Sequence, residues 1–189
     1  SAYRVASSEI YLQWDEIPGA LAYELVSPDA GIRERLNVTN YGAGFLNGST
    51  EYNFAVRAVI NEDENIRTDF AKTTIFTVPS LNNFNVEARS TSLILTWDVS
   101  TEPDFYNLNI HPAIPNFDGN LVQLESPLVI DNASPSTMYM MTMTATYTSD
   151  GASGFQGITD KVNRLPRTAP LLENSRIALL QSSQIAVAL

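Results

Sequence analysis

All four methionines of this chain fall within six residues: Met138, Met140, Met141 and Met143, in "SPSTMYMMTMTATYT" (134–148). Thioethers converging on one point would suit a soft ion such as copper(I). Spread over a surface, they would make an adaptable apolar contact instead. The single histidine, His111 in "NIHPAIP" (109–115), cannot build a histidine metal site alone. No serine is placed beside it with an orienting acid, so a nucleophilic triad is not expected. Two acidic stretches, "NEDEN" (61–65) and "DVSTEPD" (98–104), bring carboxylates close in sequence. Calcium needs six to eight converging oxygens, and neither stretch has such spacing, so both are expected to be solvated loops. Cysteine is absent, which excludes disulfides, zinc-thiolate sites and thiol nucleophiles. No catalytic residue, no metal ligand and no cofactor is therefore expected.

The methionine question turns on the element that carries them. Helical periodicity is weak throughout, whereas alternating or β-branched segments recur: "EIYLQW" (9–14), "AYELVS" (22–27), "EYNFAVRAV" (51–59) and "AKTTIFTV" (71–78). Each is bounded by Gly, Asn, Asp, Ser or Pro. Short strands at roughly ten-residue spacing predict an all-β sandwich or barrel.

The chain also repeats itself. "SEIYLQWD" (8–15) aligns with "TSLILTWD" (91–98), which sets Trp14 on Trp97, 83 residues apart. Nine residues after each tryptophan stands a tyrosine, Tyr23 and Tyr106. "LNGSTEYNFAVRA" (46–58) aligns with "ASPSTMYMMTMTA" (133–145), so Tyr52 meets Tyr139. Landmarks in one order on both sides of "VPSLNN" (78–83) predict two β domains in series, 1–79 and 80–166.

This combination resembles the fibronectin type III pattern: a tryptophan, a tyrosine nine residues on, then L-x-P-x-T-x-Y-x-V-x-V-x-A. The last motif appears as Leu46, Thr50, Tyr52, Phe54, Val56 and Ala58, with Gly48 in place of proline. The second copy reads Pro135, Thr137, Tyr139, Met141, Met143 and Ala145, with Ala133 in place of leucine. The resemblance covers nearly all of residues 1–166. It implies tandem seven-stranded antiparallel sandwiches, immunoglobulin-like in architecture, and a spacer, adhesion or receptor module rather than an enzyme. Tyr52 and Tyr139 resemble the corner tyrosine of such sandwiches, whose hydroxyl bonds to backbone a few residues upstream.

Alternation then places Tyr139, Met141, Met143 and Ala145 on one face, matching Tyr52, Phe54, Val56 and Ala58. Met141 and Met143 are expected in the core, and Met138 and Met140 outward beside Thr142 and Thr144. The core should also hold Trp14, Tyr23, Trp97 and Tyr106.

Net charge is −10 from 21 acids and 11 bases, spread evenly between the two halves. Nucleic acid is a poor partner for such a surface, and no apolar run is long enough to span a membrane. Protein partners, including further copies of the chain, are the expected ones. Three sequons (Asn37-Val-Thr39, Asn47-Gly-Ser49 and Asn132-Ala-Ser134) permit N-glycosylation and an extracellular or cell-surface setting. Chance supplies about three in a chain this rich in Asn, Ser and Thr, so they permit secretion without arguing for it.

The tail, "LPRTAPLLENSRIALLQSSQIAVAL" (165–189), begins as a second linker, and "SSQIAVAL" (182–189) aligns with "SSEIYLQW" (7–14). Residues 167–189 are expected to open a truncated third repeat or to form an assembly strand. Ile177, Leu179, Ile185, Val187 and Leu189 would supply the strand-pairing interface. Two functions remain open: an extracellular spacer and adhesion scaffold, or a self-assembling filament-type subunit that adds its last strand to a neighbour's sheet.

Overall fold

The computed structural model describes residues 2–61, 63, 65–119, 124–148 and 155–171, and among them every regular element is a β-strand. In the first half these are β1 (Ala2–Val5), β2 (Ile10–Gln13), β3 (Ala22–Ser27), β4 (Ile32–Leu36), β5 (Asn40–Ala43), β6 (Glu51–Asn61), β7 (Ile66–Arg67) and β8 (Ala71–Phe76). The second half carries β9 (Asn82–Ala88), β10 (Ser92–Asp98), β11 (Phe105–His111), β12 (Leu128–Asp131), β13 (Met140–Tyr147), β14 (Gly157–Ile158) and β15 (Val162–Arg164). All pairings are antiparallel.

The sheets come in matching pairs. One pair sets β1-β2-β5 against β4-β3-β6, with β7 and β8 both pairing with β6. The other sets β12-β10-β9 against β11-β13, with β14 and β15 both pairing with β13. In each half the final strand is thus broken in two. The strand corresponding to β4 has no counterpart among the described residues between β11 and β12. That segment carries Pro112, Pro115 and Pro127, which remove the donors a ladder needs.

Period-two patterning explains which faces close. In β2, Ile10 and Leu12 are buried while Tyr11 and Gln13 are not. In β13, Met141, Met143, Ala145 and Tyr147 are buried, and the residues between them are half-buried. One hydrophobic cluster gathers Ile10, Leu12, Leu25, Leu46, Tyr52 and Phe54. The other gathers Phe84, Leu93, Leu95, Trp97, Tyr139 and Met141 among its members. Val5 packs against both clusters, and Val78, between β8 and β9, is a fully buried member of the second.

Two expected core residues are less enclosed than the alignment predicts. Trp14 and Val56 are only partly buried against the first cluster, whereas Trp97 is 4% exposed. The second cluster gains Ile114, Leu124 and Phe117 from the segment after β11. In the first half the corresponding stretch is β4, "IRERL", whose Arg33, Glu34 and Arg35 are exposed. Side chains that need water there leave Trp14 with less apolar cover.

Candidate interaction surface

The paired tryptophan and tyrosine form the same contact in both halves. Trp14 and Tyr23 meet edge-to-face with centroids 5.7 Å apart, and Trp97 and Tyr106 at 5.4 Å. Such pairs add packing energy beyond the area they bury. The Tyr52 hydroxyl accepts the Asn47 N–H at 2.9 Å, and the Tyr139 hydroxyl accepts the Ser134 N–H at 2.7 Å. Each ties the turn entering β6 or β13 to its own strand. Tyr23, Tyr52, Phe54, Tyr106, Tyr139, Met141 and Met143 are all buried.

A second set of paired residues escaped the sequence reading. The Thr77 hydroxyl accepts the Thr50 N–H at 3.0 Å and donates to the Asn47 carbonyl at 2.6 Å. The Thr168 hydroxyl does the same with the Thr137 N–H at 2.9 Å and the Ser134 carbonyl at 2.6 Å. Both threonines are buried. Just after β7 and β14, Thr68 accepts the Ala58 N–H and Thr159 the Ala145 N–H, each at 2.9 Å. Each of these pairs is separated by 91 residues, as are Pro79 and Pro170. An ungapped comparison of "TDFAKTTIFTVP" (68–79) with "TDKVNRLPRTAP" (159–170) would have found them.

The clasps fix the backbone at the point where the two halves meet. The Ser7 hydroxyl, 2% exposed, donates to the Pro79 carbonyl at 2.9 Å. Gly157 of β14 lies so close to β1 that an added Cβ would meet the Val5 carbonyl oxygen at 2.3 Å and a Val78 methyl at 3.0 Å. Its φ of 150° also favours glycine. Beside this contact opens a cleft of about 1000 Å³, lined among others by Arg4, Glu9, Phe76, Phe155, Ile158 and Lys161. It offers both charges and half-exposed apolar rings to a partner.

Outward features lie elsewhere. Met138 and Met140 are 57% and 55% exposed, and Met140 faces the exposed His111 across the β11–β13 pair. The sulfurs are thus split two inward and two outward, which is not a converging soft-metal set. The acids of 98–104 are directed at different partners. Asp98 accepts from Asn83 at 2.6 Å, Glu102 from the Tyr106 hydroxyl at 3.4 Å, and Asp104 from the Thr148 N–H at 2.6 Å. They tie this loop to its neighbours, a role beyond the solvated charge expected of it. Burial, with the nearby Glu102 carboxylate, pushes the Tyr106 phenol above its ordinary pKa. Burial also raises Tyr147, which donates to the Thr101 carbonyl at 2.8 Å.

On the outer face of the first half, Glu24 bridges two arginines. Its contacts are 2.6 Å to Arg57 and 3.1 Å to Arg67, and Arg57 also stacks over the Phe70 ring at 4.5 Å. Burial would raise the Glu24 carboxyl, but the hydrogen bonds and charge of the two arginines outweigh it and hold it below its ordinary value. Asn37, Asn47 and Asn132 are all exposed. No helix among the described residues is long and apolar enough to cross a membrane. Ile177, Leu179, Ile185, Val187 and Leu189 lie outside the described residues.

No family model and no curated protein matches the sequence. Solved structures do match. A two-domain fibronectin type III segment of chicken tenascin aligns at 16% identity over 89% of this chain and 97% of that one, with a TM-score of 0.38. The FN1-FN3 domains of chicken CNTN1 align at 15% identity over 88% of this chain and 62% of that one, with a TM-score of 0.39. The central fibronectin-III array of RIM-binding protein aligns at 13% identity over 90% of this chain and 67% of that one, with a TM-score of 0.34. The chain is similar to tandem fibronectin type III structures. Its all-β antiparallel class stands on its own strand order and registers.

Proposed function

We propose that this chain is a non-catalytic tandem β-sandwich module that spaces and presents binding surfaces to protein partners. The units would be 1–79 and 80–166, with 167–189 opening a third. The reading rests on one observation: the halves are joined by a buried contact rather than a free tether. Val5 and Val78 pack into the second cluster, and Ser7 closes onto Pro79. A linker that must only connect has no need to bury its own residues. The setting would be extracellular or cell-surface, with a role in adhesion; the exposed sequon asparagines permit it without arguing for it, since glycan acceptors must be reachable.

The chain has no cysteine, so engineered thiols report only where they are placed. Spin labels at exposed Glu34→Cys and Asp131→Cys put one probe on each half. A spacer gives a single narrow distance distribution between them; a broad one would mean that the halves swing freely, and the spacer reading would fail.

A further inference from the structure

The end of the second half repeats several hydrogen bonds of the surface on which the second half itself is seated. At the first pole the Leu46 N–H reaches the Ser8 carbonyl at 3.0 Å, and at the second the Ala133 N–H reaches that of Thr91 at 3.0 Å. The Ser49 N–H meets the Val78 carbonyl at 3.3 Å, and the Ser136 N–H meets that of Ala169 at 3.3 Å. Ser49 and Ser136 share a left-handed backbone, with φ of 52° and 53°. Ser7 donates to the Pro79 carbonyl and Ser90 to the Pro170 carbonyl, the latter at 3.2 Å.

The two poles differ in what covers them. At the first, Ser7, Val78 and Pro79 are buried, Val78 in one cluster with Leu81 and Phe155 and in close approach to Gly157. At the second, Ser90 is half-buried, Ala169 and Pro170 are exposed, and Leu171 is 59% exposed. The backbone is prepared at both; among the described residues, only the first is covered.

The geometry points to the second pole as a seat for the chain's own continuation, residues 172–189, built as the first pole seats residues 78–84. This rests on the tandem-module reading and names the junction that would extend it. The sequence on the far side fits. "TVPSL" (77–81) is matched by "TAPLL" (168–172), which places Leu172 where the buried Leu81 stands. Ten residues on, against nine from Leu81 to Ser90, Ser182 of "SSQIAVAL" aligns with Ser7 and Ser90, so the matching segment is one residue longer. An apolar side chain on the Leu81 position would cover Ala169 and Pro170 and withdraw apolar surface from water. A self-assembly strand would have no reason to keep the threonine, proline and leucine of the junction in register.

The test reads thiol accessibility at the two matched serines. Ser7→Cys and Ser90→Cys are made singly in the full chain and in a chain ending at Leu171, which keeps every described residue. Their labelling rates by a maleimide are compared under native conditions. Ser7→Cys should react slowly in both chains. Ser90→Cys should react at least ten-fold more slowly in the full chain than in the shortened one, and Leu172→Asp in the full chain should restore the fast rate. Equal Ser90→Cys rates in the two chains, with Ser7→Cys protected, overturn the second seat and leave the spacer reading standing. A Ser7→Cys that labels as fast as a denatured control overturns both.

Discussion

Replacing Thr77 by Val removes one hydroxyl and almost no volume, which makes it a clean probe of the clasp. In the native chain that hydroxyl satisfies the Thr50 N–H and the Asn47 carbonyl, and Thr77 is fully buried. Valine fills the space but leaves a part-buried donor and acceptor without that partner. A net bond is worth about 1 kcal/mol, and water reaches these part-buried partners in part, so a loss of about 1–2 kcal/mol is expected. The control is Thr74→Val, three residues away and exposed, where the hydroxyl bonds only the Asn53 side chain at 2.8 Å. That change should cost under about 0.5 kcal/mol. The assay is urea denaturation followed by tryptophan fluorescence in a Trp97→Phe background, so that Trp14 alone reports the first half. The midpoint should fall while the slope stays constant, because the surface exposed on unfolding is unchanged. Should Thr74→Val prove as costly as Thr77→Val, the clasp would be a geometric coincidence without energetic weight.

Met141→Ala should cost about 2–5 kcal/mol by opening a cavity in the second core. Met140→Ala, on the exposed face, should cost under about 1 kcal/mol, and the reverse order in urea melts would mean that the strand phase is wrong. Glu24 has a folded pKa below its ordinary value of 4.5, so its stabilising effect is complete above that pH and lost as pH falls through the lower folded value. Glu24→Gln should therefore be less stable near neutrality and lose less stability on acidification than the native chain; parallel pH profiles would refute the bridge. Gly157→Ala drives a Cβ into the Val5 carbonyl, and the distance distribution across the junction should broaden while each half stays folded; an unchanged distribution would show that the contact does not fix the junction.

How much of this was legible in the sequence depended on the kind of signal. The alternation in β13 could be read because its two faces differ in polarity at every step, and Met141 and Met143 lie inside accordingly. The tryptophan and corner tyrosines could be read because large aromatic side chains are rare enough to align by eye. Trp14 and Val56 were over-assigned because burial depends on what a neighbouring segment contributes, and the charges of β4 are not visible from the tryptophan's own strand. The clasp threonines were missed for a different reason. Threonine suits any strand, so one copy carries no signal, and the copies do not share the offset of the other landmarks. That offset is 83 residues at the tryptophans, 87 at the corner tyrosines and 91 at the clasps. Each step comes from a loop four residues longer in the second half, first between β11 and β13 and then between β13 and β14. Loops absorb such insertions at little energetic cost, whereas the strands they join must keep their pairing. A search at one fixed period therefore loses the final strand of each half, which is where the halves are joined. The folded backbone, by bringing Thr77 to Thr50 and Thr168 to Thr137, restores the register and shows that the second half ends in the same prepared surface as the first.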